Sequence, residues 1–399
     1  MFRFLTGGES HGPSLSAIIE GLPANLPLDF DAINHQLKRR QGGFGRGERQ
    51  QMETDTIEVL SGVRHGKTMG GPLTLLVRNK AFDKDPQNWG QRMAILPVDN
   101  PPKESQQPRP GHADFAGMMK YHVPDLRPIL ERSSARNTAA LVAVAGICRS
   151  LLAYAGIEIV SHVVVIGGIG ATFAGKANYR EIAARAEESP VRCADSDAEA
   201  RMMSAIEVCM QEGTRDTLGG VFEVVALGCP PGLGSFVHWD RKLDSRLAAA
   251  LMSIQAIKGV EVGMGFGVAE IPGSKVHDEL FYGAEAGFTR GTNNAGGIEG
   301  GMTNGEPVVV RAAMKPLSTL PKPLATVDME TKQPVKAHFE RSDVCAVPAA
   351  ATIGEAMMAL VLTEAVIEKF GGDSIEEFQR NYRAYMDDVQ ERGFLREQA

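Results

Sequence analysis

An apolar run near the middle of the chain, preceded by a short polar stretch, constrains the fold more than any other feature. The run covers residues 139–147, and residues 131–138 before it read Glu-Arg-Ser-Ser-Ala-Arg-Asn-Thr. A helix that is apolar on nearly all sides has to be buried, so the run predicts a core helix that reaches about Arg149. Serine is a good helix N-cap, and either Ser133 or Ser134 is expected to begin the helix.

The start of this predicted helix is a candidate anion site. A helix N-terminus presents unpaired backbone N–H groups and the positive end of the helix dipole. Arg132 and Arg136 are four residues apart and are expected to share one helix face, where two guanidinium groups favour a phosphate or a carboxylate. The alternative is a capped core helix whose arginines pair with nearby carboxylates, and the stretch alone does not decide between the two.

Composition and charge narrow the class of protein. The hydrophobic fraction of 43% and the charged fraction of 23% are typical of a soluble globular protein. Five cysteines without a C-x-x-C pair favour a reducing compartment and argue against a zinc site or a disulfide framework. The N-terminus does not resemble a signal peptide, and no apolar run approaches the ~20 residues that span a bilayer. A cytoplasmic protein is expected.

The charge is distributed unevenly along the chain. The net charge is −7, but residues 1–140 hold 18 Lys/Arg and 15 Asp/Glu, whereas the remainder holds 24 and 34. A locally basic part in an acidic protein favours small anionic ligands over nucleic acid, which binds to broad basic faces.

Two glycine-rich segments are candidate ligand loops. Residues 41–49 contain four glycines, with Arg40, Arg46 and Arg49 in or beside them. Glycine lets the backbone approach a ligand closely, so this segment predicts an anion-binding loop. A mobile solvated loop or an RNA-binding loop is the alternative. Residues 290–305 are denser still in glycine and are suited to cradle a phosphate or a flat ring.

Two segments nearly match nucleotide-binding motifs, but both motifs are excluded. Residues 61–68 approach a P-loop, but Ser61 replaces the first glycine and Met-Gly-Gly-Pro follows instead of a helix. A hairpin connection between strands 57–61 and 73–77 is predicted there. Residues 263–267 are not G-x-G-x-x-G and no helix follows them, so a Rossmann fingerprint is rejected.

Local patterns predict most other elements. Asp29 is the expected N-cap of a helix over residues 30–37. Residues 81–111 lack periodicity and predict a long loop of the type that often covers an active site. Other strands are predicted at 2–5, 15–19, 157–166, 221–227, 259–263 and 307–311, with an irregular segment at 7–13, and other helices at 197–211, 241–254, 349–370 and over the last thirty residues. The strand, Gly/Pro turn and helix at 221–254 echo residues 15–38 and indicate a duplicated core.

Seven sequence blocks resemble those of the chorismate synthase family. They keep the family's order and cover nearly the whole chain, which makes the resemblance specific. The blocks are Gly-Glu-Ser-His-Gly at 8–12 with Glu-Gly-Leu-Pro at 20–23, Arg-Arg-Gln-Gly-Gly at 39–43, Arg-Pro-Gly-His-Ala-Asp at 109–114, Ser-Ala-Arg-Asn-Thr at 134–138, Ser-Ile-Gln-Ala-Ile-Lys-Gly at 253–259, Ala-Gly-Gly-Ile-Glu-Gly-Gly at 295–301, and Arg-Ser-Asp-Val-Cys at 341–345 with Glu-Ala at 355–356.

The resemblance implies a fold and an activity. The fold is expected to be α+β, a single β-α-β sandwich domain over residues 1–399 with central helices between two antiparallel sheets. The expected enzyme is a lyase of the shikimate pathway, which leads to the aromatic amino acids. It eliminates phosphate in a trans-1,4 sense from 5-enolpyruvylshikimate 3-phosphate and gives chorismate. Reduced FMN is the implied cofactor, a transient electron donor in a reaction without net redox change. NADPH is the candidate reductant of that flavin. The implied assembly is a homotetramer.

The resemblance also assigns residues. His11, near the departing phosphate, and His112, near the flavin, are the implied general acids, with Asp343 as proton acceptor; histidine suits this because its unperturbed pKa is about 6.5. The substrate carries two carboxylates and a phosphate, and its implied contacts are Ser10, Arg40, Arg46, Arg49, Arg136 and Arg341. The implied flavin contacts are Arg132, Ser133, Ser134, Gln255, Ala256, Gly300, Lys315, Pro316, Leu317, Ser318, Thr319 and Arg341. Arg40 and Arg46 are alternatively NADP contacts, and no metal ligand is implied.

Two other functions stay open on the sequence. The first is a flavin-dependent oxidoreductase of hydride-transfer type, against which the missing Rossmann glycines count. The second is an anion-binding regulatory or RNA-binding protein, against which the net charge of −7 and the expected burial of the arginines count.

Overall fold

Two antiparallel sheets enclose a layer of helices in the computed structural model, which describes residues 1–47, 54–172, 178–211, 213–283, 287–340 and 342–394. The first sheet has the strand order β1 (Arg3–Gly8), β2 (Ser14–Glu20), β6 (Leu73–Arg78) and β3 (Ile57–Ser61). The second has the order β10 (Ile257–Val262), β15 (Val308–Met314), β9 (Gly220–Leu227), β7 (Glu158–Ile166) and β8 (Ile169–Gly170). Both sheets are antiparallel throughout the described residues.

The remaining described strands form short two-stranded hairpins. They are β4 (Val63–Arg64) with β5 (Lys67–Thr68), β11 (Leu280–Gly283) with β12 (Gly287–Arg290), β13 (Ile298–Glu299) with β14 (Met302–Thr303), and β16 (Ala325–Val327) with β17 (Pro334–Lys336). The β4–β5 hairpin lies in the chain between β3 and β6, so the prediction of a hairpin connection instead of a P-loop is confirmed.

Twelve α-helices are described. They are α1 (Phe30–Gln41), α2 (Lys80–Lys84), α3 (Pro86–Arg92), α4 (Asp114–Tyr121), α5 (Arg127–Ser133), α6 (Thr138–Tyr154), α7 (Tyr179–Glu188), α8 (Ser196–Met210), α9 (Leu243–Met252), α10 (Gly273–Val276), α11 (Val347–Phe370) and α12 (Ile375–Glu391). Short 3-10 turns lie at Ala135–Asn137, Trp239–Arg241 and Gly265–Ala269. Asp29 caps α1 as predicted, since its side chain accepts a hydrogen bond of 3.0 Å from the backbone N–H of Ala32.

Helices α6 and α11 form the centre of the molecule. Helix α6 packs on strand β2 of the first sheet and on α1 and α11, while α11 packs on strands β7 and β9 of the second sheet. A Cβ atom on Gly354 would lie 2.7 Å from the ring of Phe222, so the glycine lets α11 approach β9 closely. This arrangement confirms the predicted α+β sandwich of central helices between two antiparallel sheets.

Judged by length and composition alone, two helical segments could span a bilayer, so the expectation that no apolar stretch is long enough is wrong. The helical segment 127–154 and helix α11 each contain an 18-residue window apolar enough to cross a membrane. These windows are 72% and 89% buried inside the protein. Core helices of this type are apolar because they are enclosed by other elements on most sides.

A buried ion cluster joins α11 to its neighbours. Glu355 is fully buried, and its two carboxylate oxygens accept hydrogen bonds of 2.5 Å from Arg149, 2.7 Å from Arg39 and 2.5 Å from the Ser161 hydroxyl. Arg192 Nη2 lies 3.4 Å from the same carboxylate. These contacts connect α1, α6, β7 and α11 around a single acidic side chain.

Two local predictions differ from the structure. Residues 81–111 were expected to be a loop, but they include most of helix α2 and all of helix α3, which have five and seven residues and are too short to show an amphipathic repeat. Residues 7–13 were expected to be irregular, but β1 continues through Gly7 and Gly8, which pair with Ser16 and Leu15. The predicted duplication of the core stays a prediction.

Candidate active site

A cavity of about 450 Å³ lies where the N-terminal ends of the central helices meet the loops that follow β1, β15 and α9. Among the described residues, its wall contains five basic side chains, two histidines and two carboxylates. These are Arg40, Arg46, Arg109, Arg136, Lys315, His11, His112, Glu340 and Asp343. The excess of positive charge in a partly enclosed space suits an anionic ligand.

His11 is fixed by Glu131 and Trp89. The backbone N–H of His11 donates to Glu131 Oε2 at 2.7 Å, and its Nδ1 lies 2.9 Å from Glu131 Oε1. The imidazole stacks on the indole of Trp89, with 4.0 Å between ring centroids and an interplanar angle of 16°. The ring therefore has one orientation at the cavity wall, as a residue that transfers protons requires.

His112 is held by a second buried carboxylate. Its Nδ1 lies 2.5 Å from Oδ1 of Asp114, which is fully buried at the start of α4. The same carboxylate accepts hydrogen bonds from the Arg109 backbone at 3.0 Å and from Arg109 Nε at 2.9 Å. Burial alone would raise the pKa of Asp114, but hydrogen bonds from His112 and Arg109 lower it well below its ordinary value.

Arg40 and Arg136 are held by Asp55, which is 5% exposed. Arg136 Nη1 donates to both carboxylate oxygens at 2.7 and 2.6 Å, and Arg40 Nη1 lies 3.4 Å from Oδ2. Arg136 also donates to Asn79 Oδ1 at 2.8 Å. Burial lowers the pKa of Arg40 to about 9, and Asp55 opposes that shift. The Arg40 guanidinium therefore stays charged at neutral pH, and both side chains have fixed positions on the wall.

Arg46 and Asp343 meet where the glycine-rich loop contacts the segment before α11. Arg46 Nη1 lies 2.8 Å from Asp343 Oδ2, and the Gly47 backbone N–H donates to Asp343 Oδ1 at 2.7 Å. Gly45 has φ +89°, and a Cβ there would lie 3.2 Å from Cys345, so this close contact requires glycine. Arg46 is 9% exposed, and its buried Nε has no hydrogen-bond partner among the described residues.

The wall that carries the predicted flavin contacts is formed by loop ends. Gln255 and Ala256 follow α9, and Ala256 adopts a left-handed backbone with φ +67°, a conformation that costs a non-glycine residue on the order of 1 kcal/mol. The Ala256 carbonyl accepts a hydrogen bond of 2.9 Å from the backbone N–H of Lys315. The Lys315 ammonium donates to the Gly111 carbonyl at 3.0 Å, and Thr319 Oγ1 accepts from Arg109 at 2.6 Å.

Most of the residues predicted for the site therefore line one cavity. The lining ones are His11, Arg40, Arg46, His112, Ser133, Ser134, Arg136, Gln255, Ala256, Lys315, Leu317, Ser318, Thr319 and Asp343. Ser10 lies behind the wall, fully buried, with its hydroxyl 2.9 Å from that of Ser134. Pro316 and Gly300 do not belong to the wall among the described residues, and Gly300 is in the β13–β14 turn. Arg49 and Arg341 lie outside the described residues.

The expected shared helix face of Arg132 and Arg136 is wrong. Helix α5 ends at Ser133, and Ser134 has extended backbone angles (φ −63°, ψ 138°). Its hydroxyl caps the 3-10 turn by accepting from the Arg136 backbone N–H at 3.2 Å, and α6 begins only at Thr138. Arg132 instead donates to the carbonyls of Thr6 and Gly8 on β1 and is absent from the described wall.

Comparisons with known proteins identify the family. The family model described as chorismate synthase matches residues 2–367. A chorismate synthase of Desulforamulus reducens is 54% identical and covers 95% of this chain and 97% of its own, and one of Syntrophotalea carbinolica is 54% identical with 97% and 98% covered. The chain belongs to the chorismate synthase family. A crystal structure of chorismate synthase is also similar, with a TM-score of 0.78, 43% identity and 98% of each chain covered.

Members of the chorismate synthase family are lyases that form chorismate in the shikimate pathway, and this chain is an enzyme of that type. The predicted function is therefore confirmed, and the hydride-transfer oxidoreductase is not favoured.

Several residues around the cavity were missing from the predicted site. Glu131 and Asp114 hold the two histidines, Asp55 holds two arginines, and Arg109 lines the wall. Arg109 and Asp114 belong to the block that contains His112, so their spacing was a usable signal. Asp55 has no such signal, because 81 residues separate it from Arg136.

Proposed function

We propose that the chain catalyses the trans-1,4-elimination of phosphate from 5-enolpyruvylshikimate 3-phosphate to chorismate, with reduced FMN bound in the same cavity. The observation that carries the proposal is the cavity itself, in which basic side chains surround two oriented histidines and two carboxylates. The substrate has three anionic groups, and arginine forms strong charge-assisted hydrogen bonds with carboxylates and phosphates.

The residues present fit two anionic ligands. Arg46 has a buried donor nitrogen without a partner among the described residues, and such a donor in a cavity wall calls for an acceptor from a ligand. Lys315 adds a cation at the other wall, where burial and the nearby Lys258 lower its pKa. Ser134, Gln255, Ala256 and the residues from Leu317 to Thr319 would hold the flavin, and the arginines would hold the substrate.

The chain's own residues would donate and accept the protons of the reaction. Reduced FMN, when bound, would supply transient electron donation without net redox change. His11 would hold a proton toward the departing phosphate, and His112 would hold one toward the flavin. Asp343, kept in place by Arg46 and the Gly47 backbone, would accept the proton that leaves the substrate carbon.

The proposal extends to further contacts and to the assembly. Arg40 and Arg46 are candidates for either substrate or NADP contacts, and NADPH is the candidate reductant of the flavin. Arg132, Pro316 and Gly300 stay candidate flavin contacts by family resemblance. We also propose a homotetramer in the cytoplasm; exposed apolar side chains such as Phe281, Phe266 and Trp239 support an assembly of several chains.

The flavin requirement can be tested directly. In oxygen-free solution with dithionite-reduced FMN, chorismate is expected to form over many turnovers per flavin without consumption of reductant, because the electron returns to the flavin. Absorbance of the flavin and of the product, recorded together, measures both quantities. Oxidation of one flavin or one NADPH per product would indicate hydride transfer instead, and turnover in the absence of any flavin would contradict both mechanisms.

The substrate site can be tested at Arg46. Replacement by alanine is expected to weaken binding of the phosphorylated substrate by about 1.5–3 kcal/mol, the scale of a charge-assisted hydrogen bond. Arg136→Ala is expected to weaken substrate binding by about as much, and this variant also removes a hydrogen-bond donor from Asp55. Isothermal titration calorimetry measures the affinity, with Arg180→Ala as control, because Arg180 is 67% exposed and pairs with Glu158. Unchanged affinity in both cavity variants would exclude this anion site.

A further inference from the structure

His11 is bound by Glu131 at two points. One carboxylate oxygen of Glu131 accepts the backbone N–H of His11, and the other lies 2.9 Å from its Nδ1. The Glu131 side chain is 2% exposed, and Arg127 Nη1 donates to Oε1 at 3.0 Å. Glu131 is on helix α5 and is absent from the described cavity wall. It contacts the wall directly through His11 and, one step further, through Arg127, which donates to the wall residue Glu340 at 3.2 Å.

The ionised state of Glu131 decides which ring nitrogen carries hydrogen. Burial alone would raise the pKa of Glu131, but hydrogen bonds from His11 and Arg127 lower it, so the group is a carboxylate at neutral pH. A carboxylate only accepts hydrogen bonds. The contact at 2.9 Å is therefore a hydrogen bond only if Nδ1 of His11 is the donor.

We propose that Glu131 is a positioning residue that locks neutral His11 in the Nδ1–H form and assigns proton exchange to Nε2. This inference rests on the proposed role of His11 as general acid. In the protonated ring, the Nε2–H bond breaks and a bond forms between that hydrogen and an oxygen of the departing phosphate. The ring returns to the Nδ1–H form, with Nδ1 still bound to Glu131.

The Glu131→Gln variant separates this role from simple packing. Glutamine has the same size but only one acceptor oxygen, whereas three N–H groups face this position: the backbone N–H and Nδ1 of His11, and Nη1 of Arg127. The His11 backbone and Arg127 cannot lose their hydrogens, so the amide oxygen serves one of them and the amide NH₂ can face Nδ1. Nδ1 is then satisfied only without its hydrogen, so the variant is expected to give His11 an Nε2–H population that the wild-type chain lacks.

The test is a two-bond ¹H–¹⁵N correlation spectrum of histidine-labelled protein at about pH 8.5, where ordinary imidazoles are neutral. The His11 signal is assigned by its loss in His11→Gln. We expect the Nδ1–H pattern alone in the wild-type chain and an additional Nε2–H pattern in Glu131→Gln. With flavin and substrate, we expect kcat of the variant to fall by about 10²–10⁴-fold, with KM changed by less than about threefold.

Glu104→Gln is the matched control. Glu104 accepts from Arg127 Nε at 3.1 Å, so this variant also removes a carboxylate from Arg127 but leaves His11 untouched. It is expected to keep the Nδ1–H pattern and a wild-type kcat. An Nε2–H pattern in the wild-type chain, which needs no variant to fold, would overturn the proposal, as would an unchanged pattern and kcat in Glu131→Gln. If the wild-type chain lacks activity, the proposed function fails, while the spectra still test the Glu131–His11 pair.

Discussion

The His11→Ala and His112→Ala variants are expected to fold normally and to turn over about 10²–10⁴-fold more slowly than the wild-type chain. Both rings line the cavity, and their side chains are 13% and 21% exposed, so each can reach a bound ligand. Loss of either ring removes a proton donor whose position is fixed by a buried carboxylate. Steady-state rates under anaerobic conditions with reduced FMN measure the effect.

His35→Ala is a suitable control for these variants, because His35 is exposed on helix α1. Its rate and melting temperature are expected to match those of the wild-type chain. A near-native rate in His11→Ala or His112→Ala would remove that histidine from the mechanism. A rate loss with a melting temperature close to that of the wild-type chain would locate the defect in the chemistry.

The Glu355→Ala variant is expected to lose about 3–5 kcal/mol in the free energy of unfolding. The substitution removes the acceptor shared by Arg39, Arg149 and Arg192 and leaves Arg149 without an ion-pair partner among the described residues. Glu187→Ala is the matched control, since Glu187 contacts Arg39 and Arg192 as well but is 41% exposed. It is expected to lose no more than about 1 kcal/mol. Chemical denaturation measures both, and equal losses would mean that burial of Glu355 is unimportant.

The same cluster makes stability depend on pH. Burial alone would raise the pKa of Glu355, but Arg39 and Arg149 lower it to about 2 from its ordinary 4.5. A carboxyl group whose pKa is lower in the folded state stabilises the fold above its unfolded pKa. That contribution is lost as pH falls from 4.5 to about 2. The wild-type melting temperature is therefore expected to fall more steeply over this interval than that of Glu355→Gln.

The sequence predicted those parts of the fold that depend on neighbouring residues. The Asp29 cap, the antiparallel pairing of β3 with β6 and the burial of α6 all follow from local patterns, and all are present. Helices α2 and α3 were missed because five or seven residues do not complete an amphipathic repeat. The break at Ser134 was missed because serine favours a cap without fixing where the following helix begins.

The partners of the site residues could not be predicted from the sequence. His11 and Glu131 are 120 residues apart, and Arg136 and Asp55 are 81 apart, so only the packed fold brings them together. A single acidic residue in a sequence does not indicate which cation or imidazole it will bind in the fold. The resemblance to the family supplied most residues that line the cavity, but not the buried carboxylates that hold them.

The order of the layers along the chain has a consequence for synthesis. Helix α6 belongs to the first half of the chain, whereas α11, which covers it, comes after strand β15. Contacts between distant segments form slowly, because a long loop has to close before they can stabilise the fold. On the ribosome, the face of α6 that packs on α11 is therefore expected to stay uncovered until α11 has emerged. We expect the nascent chain to be prone to aggregation during this interval, so that the yield of folded enzyme depends on translation speed, temperature and chaperone supply.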